Sequence, residues 1–325
     1  MKRRGEEGAA LLTVLLLVAV MSALAVGVLD DIRFGLKRTA NAETVGQAQW
    51  YALGAEAVAR ARLARLAALD PSRTPAGDWN GRWLLYPIDN GVLRARMTDA
   101  GACFNLNSVV QGASEQWGRR ELGLMQFVAL LRALDISRRD AEQLAETLAD
   151  WIDSDGNRTV LGGEDDAYVR AAPPYRTSGT LLSEVSELRA IRGFTPELYT
   201  RIRPFVCALP TADLSPINVN LLDKDRAVLL TMLMDGELDA RAAADLIDSR
   251  PTDGWQTVEE FWSNPRLREH LPSDAALDQV SLRTRFFGLQ AEVDFAGSEA
   301  VMTSLFEQAP AGPVRLVARR WTLEE

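Results

Sequence analysis

From Ala9 to Leu29 no side chain is charged, and this run constrains the fold more than any other stretch of the chain. As a helix its ~21 residues rise ~31 Å, enough to cross the hydrocarbon core of a bilayer. A helix that is apolar all round cannot form the edge of a soluble core, because water would meet Leu, Val and Met on every side. The segment is therefore an anchor or a signal. Lys2, Arg3 and Arg4 precede it while Arg33, Lys37 and Arg38 follow it, so charge alone does not orient it. Ala23-Leu24-Ala25 supplies an A-x-A pattern, and a secretory signal cut there would leave Val26 as the first residue of a soluble exported protein.

The helical pattern continues past Leu29. The next helix breaker is Pro71, and before it Val45, Ala48, Ala52, Ala55, Ala59, Leu63 and Leu66 recur at steps of three and four. Such a stripe needs a partner, so one long helix is expected to lie half in lipid and half against a domain. After a turn-rich segment, Trp83 to Ile88 and Val92 to Thr98 flank Asp89-Asn90-Gly91, a strong hairpin signal. Helices are expected at Arg120 to Leu134, Ser137 to Trp151, Ser183 to Ile191, Thr195 to Val206, Asp223 to Met234, Asp239 to Ser249 and Thr257 to Ser263. Extended pattern returns at Ser281 to Phe295 and Val314 to Leu323. A helical unit inserted into a small sheet is the simplest arrangement. Asn105-Leu-Asn107 and Asn218-Val-Asn220 each precede an expected helix, so Asn107 and Asn220 are expected N-caps and the repeated device suggests two similar lobes.

One local pattern points to a metal. Asp153-Ser-Asp155-Gly-Asn157-Arg-Thr-Val-Leu-Gly-Gly-Glu164 matches the alternating oxygen ligands and closing Glu of a calcium loop, departing at Arg158, where Gly normally allows the sharp turn. Asp150, Asp165 and Asp166 crowd the same segment, which would repel itself without a cation. The expected ligands are Asp150, Asp153, Asp155, Asn157, the backbone carbonyl near Thr159, Glu164, Asp165 and Asp166. Hard oxygens with no His or Cys nearby favour calcium, and the competing reading is a solvated acidic turn. Pro173-Pro174 speaks against a regular second EF-hand helix.

Other signals are weaker. Leu188 to Pro196 resembles a helix-hairpin-helix, which often grips DNA phosphates; Arg192, Arg201 and Arg203 are offset there by Glu184, Glu187 and Glu197. With a net charge of −9, packing is the favoured use of that hairpin and no nucleic-acid partner is expected, a membrane-anchored DNA-uptake factor being the rival. His270 is the only His, and no G-x-S-x-G, P-loop or HExxH pattern occurs, so no catalytic residue and no enzyme is expected. Cys103 and Cys207 are the only cysteines. Outside the cytoplasm they are expected to pair, the alternative being two buried free thiols.

The start of the chain carries a resemblance. A short basic leader ending in Gly8, followed at once by Ala9 and a retained apolar helix, resembles the type III signal of type IV pilins and type II secretion pseudopilins. That resemblance implies cutting by a prepilin peptidase between Gly8 and Ala9 and methylation of the new amino terminus. Most of that superfamily carry Glu at the fifth mature position, where this chain has Thr13. The chain is similar in this respect, in its length and in its inserted helices to the K class of type II secretion system minor pseudopilins. The resemblance covers essentially the whole chain.

The K class implies an α+β pseudopilin fold, a long N-terminal helix plus a small antiparallel sheet with a large inserted α-helical domain. Residues 1–8 would be the leader, 9–29 the transmembrane helix, and 30–107 the pilin-like helix and first strands. Residues 108–279 would form the two-lobed insert, which in this class holds calcium, and 280–325 the strands completing the sheet. It further implies a single pass in the inner membrane with the bulk in the periplasm. The position implied is the pseudopilus tip, with minor pseudopilins of the I and J classes and other pseudopilins of the filament as partners, nucleating and capping it for protein export across the outer membrane.

Overall fold

Helix α1 runs unbroken from Glu6 to Leu69. The structure, a computed structural model, describes residues 6–75, 77, 79–270, 272–309 and 312–322, so Lys2, Arg3, Arg4 and the last residue of the final expected strand, Leu323, lie outside it. Every large apolar side chain from Leu11 to Leu36 is exposed, and the length and composition of this half suit a membrane crossing. In the other half Ala48, Ala52, Ala59 and Leu63 are buried, as the stripe requires. Glu56 shares that stripe and is 3% exposed. Its carboxylate accepts two bonds from Arg319 at 2.7 Å and one from Ser304 Oγ at 3.0 Å. Burial alone would raise its pKa, but Arg319 and Ser304 hold it below the ordinary carboxylate range.

Strands β1 (Trp83–Ile88) and β2 (Gly91–Asp99) form the expected hairpin, with Ile88 paired to Gly91. Asp89 and Asn90 make the turn, Asn90 at φ 58°. Gly91 is already in the strand, where a Cβ would lie 1.9 Å from the Asp294 carbonyl oxygen. The glycine thus serves the close approach of the neighbouring strand rather than the turn.

The chain then leaves the sheet. Lobe one comprises β3 (Phe104–Asn105), a 3-10 turn (Leu106–Val109), the hairpin β4 (Val110–Ala113) and β5 (Gln116–Arg119), α2 (Glu121–Ala133), α3 (Arg138–Ile152), α4 (Asp165–Tyr168), a 3-10 turn (Val185–Ala190), α5 (Pro196–Ile202) and β6 (Val206–Cys207). Lobe two comprises β7 (Ile217–Asn218), a 3-10 turn (Lys224–Arg226), α6 (Val228–Leu233), α7 (Ala240–Asp248), α8 (Val258–Trp262), α9 (Asp274–Gln279) and β8 (Val280–Ser281). Each lobe is closed by a short parallel pairing of its first and last strands, β3 with β6 and β7 with β8. Ser137, Thr195, Asp239, Thr257 and Ser273 cap the helices that follow them. Both lobes share one apolar core.

Strands β9 (Phe286–Phe295), β10 (Ser298–Gln308) and β11 (Val314–Arg320) complete the sheet. Among the described residues it has five strands in the order β1-β2-β9-β10-β11, every neighbour antiparallel. Leu93, Ala95, Met97, Leu289, Ala291, Val293, Met302 and Phe306 turn one face to α1 and form a second core. Residues between them, such as Arg94, Arg96 and Gln290, take the opposite face by the period-two rule.

Several expectations are corrected. The extended stretch expected from Ser281 pairs in the main sheet only from Phe286, strand β10 was not foreseen, and the helix expected to reach Val206 ends at Ile202, ahead of Pro204. Asn107 and Asn220 are not N-caps. Asn105 and Asn218 accept the amides of Asn107 and Asn220 at 3.2 and 3.1 Å. The Asn107 side chain instead accepts from Leu182 N and donates to the carbonyls of Leu182 and Leu209, while Asn220 both accepts from and donates to the Trp255 backbone. Both amides are buried, and a buried amide must find partners for its oxygen and its nitrogen.

Candidate metal centre

The last turn of α3 buries Leu148 and Ile152 and carries Asp150 inward with them, at 0% exposure. Asp153 caps that helix, its amide bonded to the Ala149 carbonyl at 2.8 Å, and Glu164 stands at the N-terminus of α4. Both are buried, at 7% and 6% exposure. One oxygen from each of the three carboxylates lies within 4.8 Å of the others. Asp150 Oδ1, Asp153 Oδ1 and Glu164 Oε1 have no hydrogen-bond partner. Buried acceptors rarely go unpartnered, and a cation is the kind of group that would satisfy three converging ones.

The electrostatics agree. Burial, and then repulsion from Asp155, Glu164 and Asp150, pushes Asp153 up to about 7. Burial and Asp150 push Glu164 up to about 7, and burial raises Asp150 as well. The donor set is all hard oxygen, which fits calcium and offers nothing to a soft metal. Asp150 Oδ2 is fixed by the amide and hydroxyl of Thr159, at 3.0 and 3.2 Å, and Thr177 Oγ1 reaches Glu164 Oε2 at 3.4 Å. A Cβ on Gly162 would sit 2.1 Å from Asp150 Oδ2, so only glycine lets the loop close on that carboxylate. Trp151 meets Tyr168 and Tyr175 edge to face, and the two tyrosines are tilted at 38° to each other.

The remaining loop residues neighbour the three carboxylates, and the close cluster itself is Asp150, Asp153 and Glu164. Asp155 and Asn157 are exposed, and Asp155 Oδ1 accepts the Asn157 amide at 2.7 Å. The Thr159 carbonyl accepts the Gly162 amide at 3.3 Å. Asp165 accepts the amide and hydroxyl of Thr177 and faces Arg176 at 3.7 Å, while Asp166 pairs with Arg158 at 3.4 Å. Thr177 and the steric role of Gly162 carry no signal in the loop pattern. Thr177 lies beyond its closing Glu, and a glycine reads only as flexibility.

Cys103 and Cys207 are joined by a disulfide, with Cα atoms 5.7 Å apart, beside the β3–β6 pairing. Gly8 and Ala9 lie in the first turns of α1. In the helix-hairpin-helix segment Leu188, Ile191 and Phe194 are buried in the insert core and Arg201 donates to the Leu134 carbonyl, so the hairpin packs inward.

Two family models, both described as type II secretion system (T2SS), protein K, match residues 102–211 and 217–283. The junction between the matches falls between β6 and β7, where lobe one hands over to lobe two. The chain is 33% identical over 322 residues to the type II secretion system protein K of Pectobacterium carotovorum subsp. carotovorum, covering 98% of this chain and 97% of that protein. It is 38% identical over 265 residues to the protein of the same description from Klebsiella pneumoniae, 81% of each being covered. Among solved structures it resembles a chain of the crystal structure of the GspK-GspI-GspJ complex from the enterotoxigenic Escherichia coli type 2 secretion system. The TM-score is 0.74 at 29% identity, covering 87% of this chain and 98% of that one. The chain belongs to the type II secretion system protein K family.

Proposed function

We propose that this minor pseudopilin starts and caps the pseudopilus at its tip, in company with minor pseudopilins of the I and J classes. The observation that carries the proposal is the placement of both lobes between β2 and β9, above a helix of 64 residues. A helix of that kind can join a filament, and the bulk above the sheet obstructs any subunit that would stack ahead of it. Thr13 supports the same position. It has no charge with which to neutralise the amino terminus of a subunit in front, and its hydroxyl donates to the Ala10 carbonyl within its own helix. The likeness to a chain of the GspK-GspI-GspJ complex supports the choice of partners.

In this reading a prepilin peptidase cuts between Gly8 and Ala9, α1 anchors in the inner membrane, and the remainder lies in the periplasm, a compartment where the Cys103–Cys207 disulfide persists. Calcium occupies the site of Asp150, Asp153 and Glu164, with Asp155, Asn157 and the Thr159 carbonyl as loop ligands and Asp165 and Asp166 as helpers. The bound ion supplies charge neutralisation. Thr159 and Thr177 orient the carboxylates, and Gly162 admits the loop. The role is structural, and no catalytic step is assigned.

The test is copurification of the full-length chain with its I- and J-class counterparts in detergent. The expected result is a three-protein complex in calcium that weakens in chelator and in Asp153→Ala. Failure of the wild-type chain to retain either partner in calcium would overturn the tip assignment.

A further inference from the structure

The face of the sheet opposite α1 does not meet the insert closely. Between them lies a cleft of about 540 Å³, walled by β2, β9, β10 and β11 on one side and by residues 183–186 and 203–209 of lobe one on the other. That volume is in the range of ligand pockets. Its charge is lopsided. Among the described residues four arginines line it, Arg96 and Arg320 from the sheet and Arg203 and Arg226 from the insert, against Asp99 and Glu184. Glu184 pairs with Arg320 at 2.7 Å, and Asp99 accepts from the Gly101 amide and the Thr284 hydroxyl, so two acids stand against four arginines.

Arg96 is the most telling of the four. Its ring neighbour is Trp83, 4.8 Å from the guanidinium carbon, and its Nη2 donates to Gln290 Oε1 at 2.7 Å. Its Nε is buried and has no acceptor. The guanidinium as a whole is only half-buried and lines the cleft, where its charge favours an anion. Between the arginines the walls mix apolar side chains, Val185, Pro204 and Leu305, with the hydroxyls of Ser183, Ser186 and Thr303. A compact inorganic anion would leave those apolar side chains facing water.

We propose that this cleft binds an extended acidic peptide segment of a partner protein, its carboxylates meeting the arginines and its apolar side chains the walls between them. Cations contributed by both sheet and insert mean that the segment bridges the two units and fixes how the insert sits on the sheet. Charge complementarity makes the binding salt-dependent.

The test is calorimetric titration of the full-length protein in detergent micelles with a capped peptide of alternating Glu and Leu, with its Gln-for-Glu counterpart, and with inorganic phosphate. The Glu peptide is expected to bind, more weakly at high salt, and the Gln peptide and phosphate not to. Arg96→Gln is expected to weaken binding about tenfold or more, by loss of a charge-assisted contact. Arg94→Gln removes a cation from the same sheet face outside the cleft, where Arg94 pairs with Glu292, and is expected to leave the affinity within about twofold. Ser186→Glu adds a carboxylate to the lobe-one wall without touching any arginine, and is expected to abolish binding. Equal binding of the Gln peptide, equal losses in Arg96→Gln and Arg94→Gln, unchanged binding in Ser186→Glu, no binding of the Glu peptide, or binding of phosphate in its place would each overturn the proposal.

Discussion

Lobe one and lobe two use the same frame and close it by different chemistry. In each, an Asn accepts the amide two residues on, and the next Asn reaches across to a distant backbone, Leu182 in lobe one and Trp255 in lobe two. In each, a Glu accepts an amide four residues earlier, Glu187 from Ser183 and Glu260 from Gln256. The parallel pairings correspond as well, with Asn105 opposite Cys207 and Asn218 opposite Ser281. Lobe two goes from the end of α7 at Asp248 to Trp255 in a short turn. There Arg250 Nη1 donates to the carbonyls of Val219, Asn220 and Leu222 at 3.1, 2.9 and 3.0 Å. Lobe one has a long loop between Ile152 and Leu182 instead, beside three converging carboxylates, and a disulfide beside its β3–β6 pairing. One lobe carries its cation in its own sequence, and the other, on the reading proposed above, takes one from solution. A frame that tolerates both solutions depends on the Asn crosslinks and the shared core rather than on the loop.

The largest test of this contrast is the disulfide, which only lobe one has. Replacing Cys103 and Cys207 together by Ser opens a loop spanning a sequence separation of 104. Chain-entropy arithmetic puts the cost at about 4–5 kcal/mol, an upper figure because strain erodes it. Denaturant unfolding should show the loss, with lobe one the first to open. Calcium comes next. Binding only to the folded chain at a hundredfold excess over Kd adds about 2.7 kcal/mol, so chelator should lower Tm and Asp153→Ala should remove the difference between calcium and chelator. Arg250→Ala should cost about 2 kcal/mol by stranding its carbonyl acceptors, and that loss should be the same with and without calcium.

A further effect, read without any substitution, is on pH. Asp153 and Glu164 titrate near 7 in the metal-free fold, above the ordinary carboxylate value of about 4. Their protonated forms therefore add stability that is complete below about pH 4 and is lost as pH rises through about 7. In chelator, Tm should fall as pH rises from about 5 to 8. In calcium the ligands are held deprotonated and that fall should vanish.

Much of this was legible in the sequence, and the exceptions have physical causes. The α1 stripe, the β1–β2 hairpin and the loop carrying Asp153 and Glu164 all announce themselves by local period or spacing. Strand β10 does not, because its buried face mixes polar with apolar residues: Ser298, Ala300, Met302, Ser304, Phe306, Gln308. Two of the polar members are answered by α1. Ser298 meets Thr44 at 2.6 Å and Ser304 donates to Glu56, a residue the apolar stripe also gave no reason to expect inside. The Asn pairs mislead for a related reason. A local pattern sees the helix that follows Asn107, whereas the partner that uses its side chain is 75 residues away. At the carboxylate cluster the loop pattern names alternating ligands, while the fold turns Asp155 and Asn157 outward and Asp150 inward by the phase of α3.

The contrast between the lobes is tested most directly by amide hydrogen exchange on the full-length protein, in calcium and in chelator. Chelation should raise exchange at the Thr159 and Leu182 amides, which depend on Asp150 and on the closure of the lobe-one loop, and leave the Trp255 amide of lobe two unchanged. Identical exchange in the two conditions, or equal loss of protection at Leu182 and Trp255, would contradict an ion-dependent lobe one beside a self-sufficient lobe two.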